Sequence, residues 1–358
     1  MTTSKRILYL DYTKGYAIIL VVLGHTIGGL EKVGVVSPAG FYATLSDVIY
    51  TFHMPLFFFV SGFLSARLAA QPPRAFASGA FLTIVAPYLI WSWIFLSMNV
   101  AFPNGANAHF SRSDFIDILA PGRSIGVYWF LYALLVARLA YYVAARISRT
   151  LVLALFGAFS LTYLFCQAFL AGVEDLSVFA GTIFKFSQGG TFVGFGLIAA
   201  TNENVKEAIL SARRLPWWAV GWIGAAALVI RYPAFEVLRF ATGFCGTALT
   251  LSLARWIEFK SPYQPQFLSN IGKATIAIFV AHVIFAAAIR SLLLKLGVHG
   301  AFVHVVFGTT AGVIFPMVLF YAANYWRIAP WVGFGKNAPV FAGGLPPFAT
   351  ALRAFRKS

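Results

Sequence analysis

The chain has 358 residues, of which 60% are hydrophobic and 11% charged, with a mean hydropathy of +0.80; soluble domains carry roughly 25% charged residues. A soluble globular domain is excluded, and the composition is that of an integral membrane protein. The formal charge of +16 does not mark a nucleic-acid surface, because the basic residues form no stripe or tail and collect in short loops at alternate turns of the chain.

Apolar segments of about 20 residues recur, each enough to cross a hydrocarbon core of roughly 30 Å as a helix. Helices satisfy backbone hydrogen bonds in lipid without the alternating pattern that a barrel strand needs. Breaks at Gly, Pro and charge delimit spans over 10–30, 41–64, 79–101, 124–144, 151–171, 177–199, 215–231, 234–254, 271–294 and 303–325. The expected fold is all-α, a polytopic membrane protein with about ten transmembrane helices. With a cytoplasmic N-terminus, the outside connections hold only Lys32, Arg112, Arg123, Arg231 and Lys295, and the larger set of basic residues falls inside. This positive-inside asymmetry puts both termini in the cytoplasm and favours an even number of crossings.

The start MTTSKR is basic, but no small-residue cleavage site follows, so the first segment is expected to stay as a membrane helix. Residues 1–325 read as one membrane domain and 326–358 as a cytoplasmic tail, whose end ALRAFRKS suits a surface near anionic lipid. The longest outside connection, AFPNGANAHFSRSDFIDILAPGRS, is expected to cover part of the outer mouth. No transporter-like repeat is evident. Cys166 and Cys245 lie in apolar segments as ordinary buried thiols, and no disulfide or metal site is expected.

The first span, LYLDYTKGYAIILVVLGHTIGGL, carries Asp11, Lys14 and His25. Lys14 and His25 are separated by about three helical turns with about 20° of drift, so they share a face, roughly 16 Å apart along the axis. Lys14 falls at the cytoplasmic interface, where a snorkelling anchor is the ordinary reading. His25 falls near mid-membrane, where an ionisable group is costly and points to function. Gly24, Gly28 and Gly29 leave room for a substrate or for a close helix neighbour.

The second span contains FHMPLFFFVSGFL, which puts His53 near the membrane centre, Pro55 just beyond it, and Ser61 near the cytoplasmic face. Pro55 is expected to loosen the helix and free carbonyls. Two histidines at similar depth on consecutive antiparallel helices can share a cavity. Asp47, about 120° around the helix from His53, reads as a water-facing carboxylate or as an orienting group for one of them. Later spans hold Lys185 in KFSQGGTFVGFG and Arg239 in EVLRFATGF, the latter with Glu236 at pairing distance in sequence. Trp129 reads as an interface aromatic or a sugar-stacking wall, and His282 as a helix-bridging histidine or a member of the site.

These residues resemble the integral membrane acyltransferases of the acyltransferase-3 family. LDYTKGYAIILVVLGH supplies Asp11, Lys14 and His25 at the family's opening spacing, and FHMPLFFFVSGFL resembles its aromatic segment ending in Ser-Gly-Phe. APYLIWSW resembles the Pro-Tyr start of the third helix, VYWFLYALL the Trp-Phe-Leu segment with Trp129, and GKATIAIFVAHVIF the late helix with His282. The family often carries Arg-x-x-Arg before that Pro-Tyr; here FASGAFLTIVAPY has no basic residue after Arg74. Either Arg67 and Arg74 take over, or donor binding differs.

The resemblance implies O-acyl transfer, most often of acetyl, from cytoplasmic coenzyme A to a hydroxyl of a sugar, polysaccharide, glycolipid or small molecule, in a bacterial inner membrane. Acetyl-CoA is then the expected donor, with no metal and no nucleic acid involved. Lys14, with Arg67 and Arg74, would hold phosphate at the interface by charge-assisted hydrogen bonds. His25 would serve as general base on the acceptor hydroxyl, or carry a transient acyl group. His53, Ser61 or a backbone amide near Pro55 would stabilise the oxyanion. Two alternatives remain: a proton-coupled carrier, against which the lack of mid-membrane carboxylates stands, and a catalytically silent relative.

Overall fold

The structure, a computed structural model, describes residues 7–101, 113–119, 126–169, 178–232 and 237–336. Among these residues all regular structure is helical. In chain order the helices are α1 (Leu8–Lys32), α2 (Phe41–Phe63), α3 (Pro73–Ala80), α4 (Ala86–Ala101), α5 (Asp114–Asp117), α6 (Trp129–Ile147), α7 (Arg149–Phe169), α8 (Val178–Thr201), α9 (Glu203–Leu210), α10 (Leu215–Arg231), α11 (Val237–Lys260), α12 (Gln266–Lys273), α13 (Thr275–Lys295) and α14 (Ala301–Tyr325).

Local chemistry sets several boundaries. Pro73 opens α3 at a first-turn position that needs no N–H donor, and a π-helical stretch, Phe81–Val85, joins α3 to α4. The resulting rod, Pro73–Ala101, is 29 residues long, so it begins ahead of the expected 79–101 span. α6 and α7 turn around Ser148, whose hydroxyl accepts from Leu151 N at 3.0 Å. The Asn202 side chain caps α9 by accepting from the amides of Asn204 and Val205.

Among the described residues, 8 helices are long and apolar enough to cross a membrane. They cover the expected spans except those that became α8 and α10. α10 has only 17 residues, and the middle of α8 holds Lys185, Ser187, Gln188 and Thr191. Large apolar side chains such as Leu161, Trp217, Val220 and Phe302 are exposed, as a lipid-facing surface requires. This is an integral membrane protein.

α1 is central, packed against α2, α11, α12, α13 and α14, whereas α8 packs against α2, α6 and α7. Lipid tails are as apolar as leucine, so helix association rests on close packing and buried hydrogen bonds. Gly62 and Gly196 bring the α2 and α8 backbones together, each where a Cβ would strike the other helix's main chain. Gly15 and Gly272 do the same for α1 and α12. Buried tyrosines add cross-links: Tyr128 donates to Val280 O at 2.7 Å and Tyr141 to Gly190 O at 2.9 Å. The tail expected from 326 begins by packing on α4, where Trp91 donates to Val332 O at 2.9 Å and its ring stacks on Phe334. The rest of that tail, and most of the long connection after α4, lie outside the described residues.

Candidate active site

His25 is half-buried, about 26 Å along α1 from Leu8 and about 10 Å from Lys32 at 1.5 Å per residue. It therefore lies beyond the middle of the helix, toward the Lys32 end. Gly24 lies against the Tyr50 ring of α2, and that close approach lets the Tyr50 hydroxyl reach His25 Nδ1 at 2.9 Å. Tyr50 also contacts His53 edge-on, with ring centroids 4.9 Å apart. From the other side comes His282 of α13, its ring centroid 5.3 Å from that of His25. Gly312 of α14, packed on Val22 and His282, closes the cluster.

The hydrogen bonds fix which nitrogens are available. His53 Nδ1 meets Ile49 O at 2.6 Å, and His282 Nδ1 meets the carbonyls of Ile278 and Phe279 at 3.0 and 2.8 Å. A carbonyl only accepts, so both Nδ1 atoms carry hydrogen. In the neutral rings both Nε2 atoms then hold bare lone pairs, and both are buried with no partner among the described residues. His53 therefore offers an acceptor of protons. An oxyanion would need it to be doubly protonated.

The other oxyanion candidates fare differently from expectation. α2 continues through Pro55, and the carbonyl that Pro55 leaves unbonded, that of Thr51, faces Gly243 of α11. What Pro55 releases is an acceptor, which repels an oxyanion. Ser61 lies eight residues beyond His53, about 12 Å along the helix, and its carbonyl accepts from Ser65 Oγ at 2.8 Å. Asp47 is exposed, and His53 Nδ1–H donates to Ile49 O instead.

A cleft of about 20 Å³ opens at His25, lined also by Thr26, Val283, Ala286, Arg290 and His304. That is room for one water or one hydroxyl. A larger slot of about 170 Å³ between α4 and α6, lined by Tyr88, Tyr132, Leu131 and Leu135, does not include any of the histidines. Among the described residues no group of three or more His, Cys, Asp and Glu side chains is arranged to hold a metal ion.

Lys14 pairs with Asp11 at 2.7 Å, the carboxylate side chain 3% exposed and the ammonium side chain 22%. Arg67 and Arg74 are both exposed. Between them, Arg146 of α6 donates to Gln71 O at 3.1 Å and to the Tyr142 hydroxyl at 3.2 Å, while Tyr142 stacks on Phe76 of α3 at 4.0 Å. A third cation thus joins the segment that carries Arg67 and Arg74. Trp129 touches Phe58 and Phe130, and Lys185 Nζ sits 5.8 Å from its ring centroid. Glu236, the expected partner of Arg239, lies outside the described residues.

Sequence reasoning missed Tyr50, Arg146, Arg290 and His304. Arg290 and His304 stood in apolar spans, and an ionisable residue there is itself a signal. Tyr50 and Arg146 carry no such mark, since their importance comes from what the helices bring beside them.

The sequence model of a family described as an acyltransferase domain matches residues 7–321. The nodulation protein NolL of Sinorhizobium fredii (strain NBRC 101917 / NGR234) is 28% identical over 224 residues, 61% of this chain and 56% of the relative. NolL of Mesorhizobium japonicum (strain LMG 29417 / CECT 9101 / MAFF 303099) is 32% identical over 136 residues, 37% of this chain and 34% of the relative. The chain thus spans under two thirds of the length of these relatives. No solved structure matches it. With a family match running from the start of α1 nearly to the end of α14, over the helices that carry His25, His53 and His282, the chain belongs to the acyltransferase-3 family of membrane acyltransferases.

Proposed function

We propose that this protein transfers an acyl group, acetyl in the first instance, from cytoplasmic acetyl-CoA to a hydroxyl of a sugar-bearing acceptor. Residues 1–325 form the membrane domain, with ten crossings that include α8 and α10, and both termini face the cytoplasm of a bacterial inner membrane. The observation that carries the reading is the arrangement along α1. Lys14 stands near one end, and three turns further His25 meets Tyr50 and His282 beside a small cleft.

Coenzyme A is a charged nucleotide on a long thin arm with the thioester at its tip. Lys14, Arg67, Arg74 and Arg146 offer cations for its phosphates, and the arm spans the roughly 16 Å to His25. His25 Nδ1–H donates to the Tyr50 oxygen, which leaves Nε2 bare to take the proton of the acceptor hydroxyl. The freed oxygen bonds to the thioester carbonyl carbon, the carbon–sulfur bond breaks, and the imidazolium returns its proton to the departing thiolate. Asp11 holds Lys14 in place.

The test is release of free thiol from acetyl-CoA by purified protein in nanodiscs, for wild type, Lys14→Ala and His25→Ala. Acceptor-dependent release by wild type, weaker donor affinity in Lys14→Ala, and retained binding without turnover in His25→Ala are the expected results. A wild type that neither binds nor consumes acetyl-CoA or succinyl-CoA would overturn the reading in favour of a carrier.

A further inference from the structure

Arg138 stands midway along α6, in a helix long and apolar enough to cross a membrane. It is half-buried, its Nε is buried without a partner, and among the described residues the guanidinium makes no hydrogen bond and no ion pair. Other cations of this half of the molecule are engaged: Lys14 with the Asp11 carboxylate, and Arg146 with Gln71 O and the Tyr142 hydroxyl. An unpaired charge inside an apolar span is costly and marks a ligand or a polar path.

Five helices form a ring on whose wall Arg138 stands. α1 packs on α2 and α13, α13 packs on α4, and α4 meets α6 through Tyr88 and Tyr132, whose ring centroids are 5.9 Å apart. Phe58 of α2 and Phe130 of α6, 4.6 Å apart, close the ring. An aromatic layer crosses it: Phe130 lies 5.3 Å from Phe279 of α13, Phe279 adjoins His282, and His282 meets His25. By helical period Arg138 lies about 80° around α6 from Phe130, and about 60° on the other side from Leu135, which lines the slot against α4. Its direction therefore falls between α2 and α4, into the ring. Tyr50 to Phe58 along α2 and Phe130 to Arg138 along α6 are about 12 Å each, so the Arg138 backbone lies about 24 Å from His25 toward the Lys14 end. A helical side chain leans toward the N-terminus, which brings the guanidinium back toward the level of Lys14, roughly 16 Å from His25.

We propose that Arg138 binds the diphosphate of the acyl-CoA donor inside this ring. The inference rests on the acyl-transfer reading and ties one part of the donor to one residue. Counting from the thioester, the diphosphate is the first charge on coenzyme A, at the far end of the pantetheine arm. The 3′-phosphate lies further out on the ribose and is left to the exposed Arg67 and Arg74. With the acyl carbon at His25, the arm brings the diphosphate to the depth of Lys14 and Arg138. A guanidinium presents paired N–H donors that match phosphate oxygens, and the bound anion supplies the counter-charge that Arg138 lacks among the described residues.

The experiment titrates the full-length protein in nanodiscs with coenzyme A and with 3′-dephospho-coenzyme A, for wild type, Arg138→Leu, Arg138→Gln and Arg138→Lys. The two neutral variants should weaken both ligands by the same factor, about 10-fold or more, and Arg138→Lys should restore part of the affinity. Without ligand, Arg138→Leu should melt at or above the wild-type temperature, because an unpaired charge has left an apolar span; a residue that only holds the fold would do the opposite. Three outcomes overturn the assignment and leave donor binding standing: unchanged affinity, a loss confined to coenzyme A, which would mark the 3′-phosphate, or lowered melting or failure to fold in both neutral variants. A wild-type affinity that falls when phosphatidylglycerol is added to phosphatidylcholine nanodiscs, while that of Arg138→Leu does not, also overturns it, since a lipid headgroup then fills the site. A wild type that binds neither ligand overturns the acyl-CoA reading, and the Arg138 site falls with it.

Discussion

The Tyr50 hydroxyl lies 2.9 Å from His25 Nδ1, joining α2 to α1 at the residue on which the proposed chemistry depends. The phenol can donate or accept; in the proposed reaction Nδ1–H donates to its oxygen and Nε2 is the basic nitrogen. Tyr50→Phe should therefore lower kcat by about 10-fold or more with little change in donor KM, and His25→Ala by about 10² to 10⁴, the usual worth of general-base catalysis. Steady-state thiol release measures both. A Tyr50→Phe enzyme with unchanged kcat would show that the imidazole is oriented by its packing on His282 instead.

Lys14 and Asp11 separate stability from donor affinity. Asp11 is the more deeply buried partner, and taking a cation from beside a buried carboxylate is costly. Lys14→Ala should lower thermal stability and raise the KM for acetyl-CoA about 10-fold. Lys14→Arg should restore stability and most of the affinity, because the guanidinium also pairs with carboxylate and phosphate. Melting in detergent and donor KM, measured on the same preparations, check this. Restored stability without restored affinity would mean that Lys14 does not touch the donor.

Much of this was legible from the chain alone, and the reasons differ from residue to residue. The helices followed from hydropathy because an apolar run without the alternation of a barrel strand satisfies its backbone in lipid only as a helix. Lys14 and His25 stood out because charge inside an apolar run is rare, and their shared face follows from helical period. The expectation of two neighbouring histidines needed only consecutive antiparallel helices; His53 packs on Tyr50, which contacts His25, but His53 does not line the cleft at His25. What escaped depends on tertiary approach. Gly24 was expected to leave room for a substrate or a close helix neighbour, but that the neighbour is the Tyr50 ring shows only in the packed structure. Pro55 was expected to free carbonyls, with a nearby amide as one of three oxyanion candidates; α2 continues through it, and the Thr51 carbonyl faces Gly243. The start of α4 was hidden by the π-helical stretch, which merges a short amphipathic segment with an apolar one.

Trp129 was open to two readings, an interface aromatic or a wall for a sugar. It now has a ring of partners: Phe58, Phe130 and the Lys185 ammonium 5.8 Å from its centroid. A desolvated cation over an indole is worth about 0.5 to 2 kcal/mol. Trp129→Leu should lower thermal stability in detergent while turnover per folded molecule stays within about threefold of wild type. Lys185→Met should reproduce part of that loss, and the double variant should show less than the sum, as expected for groups in contact. A large rise in acceptor KM for Trp129→Leu would instead return Trp129 to the substrate.

The α2–α8 contact gives the sharpest structural prediction, because the two backbones meet at glycines on both sides. At Gly62 an added methyl group would collide with the Val193 main chain, and at Gly196 with the Phe59 carbonyl and the Phe63 amide. Neither obstacle is the free end of a side chain, so relief requires the helices to move apart. Overpacking of this kind typically costs about 1 to 3 kcal/mol, and here it would also displace α2, which carries Tyr50 and His53. Gly62→Val and Gly196→Val should each reduce the yield of monodisperse protein and lower its melting temperature. Gly157 of α7 has nothing within 4 Å of an added Cβ, so Gly157→Ala should leave both unchanged. Size-exclusion profiles and thermal melts of the three variants check the contrast. Equal tolerance at all three positions would mean that α2 and α8 do not meet this closely.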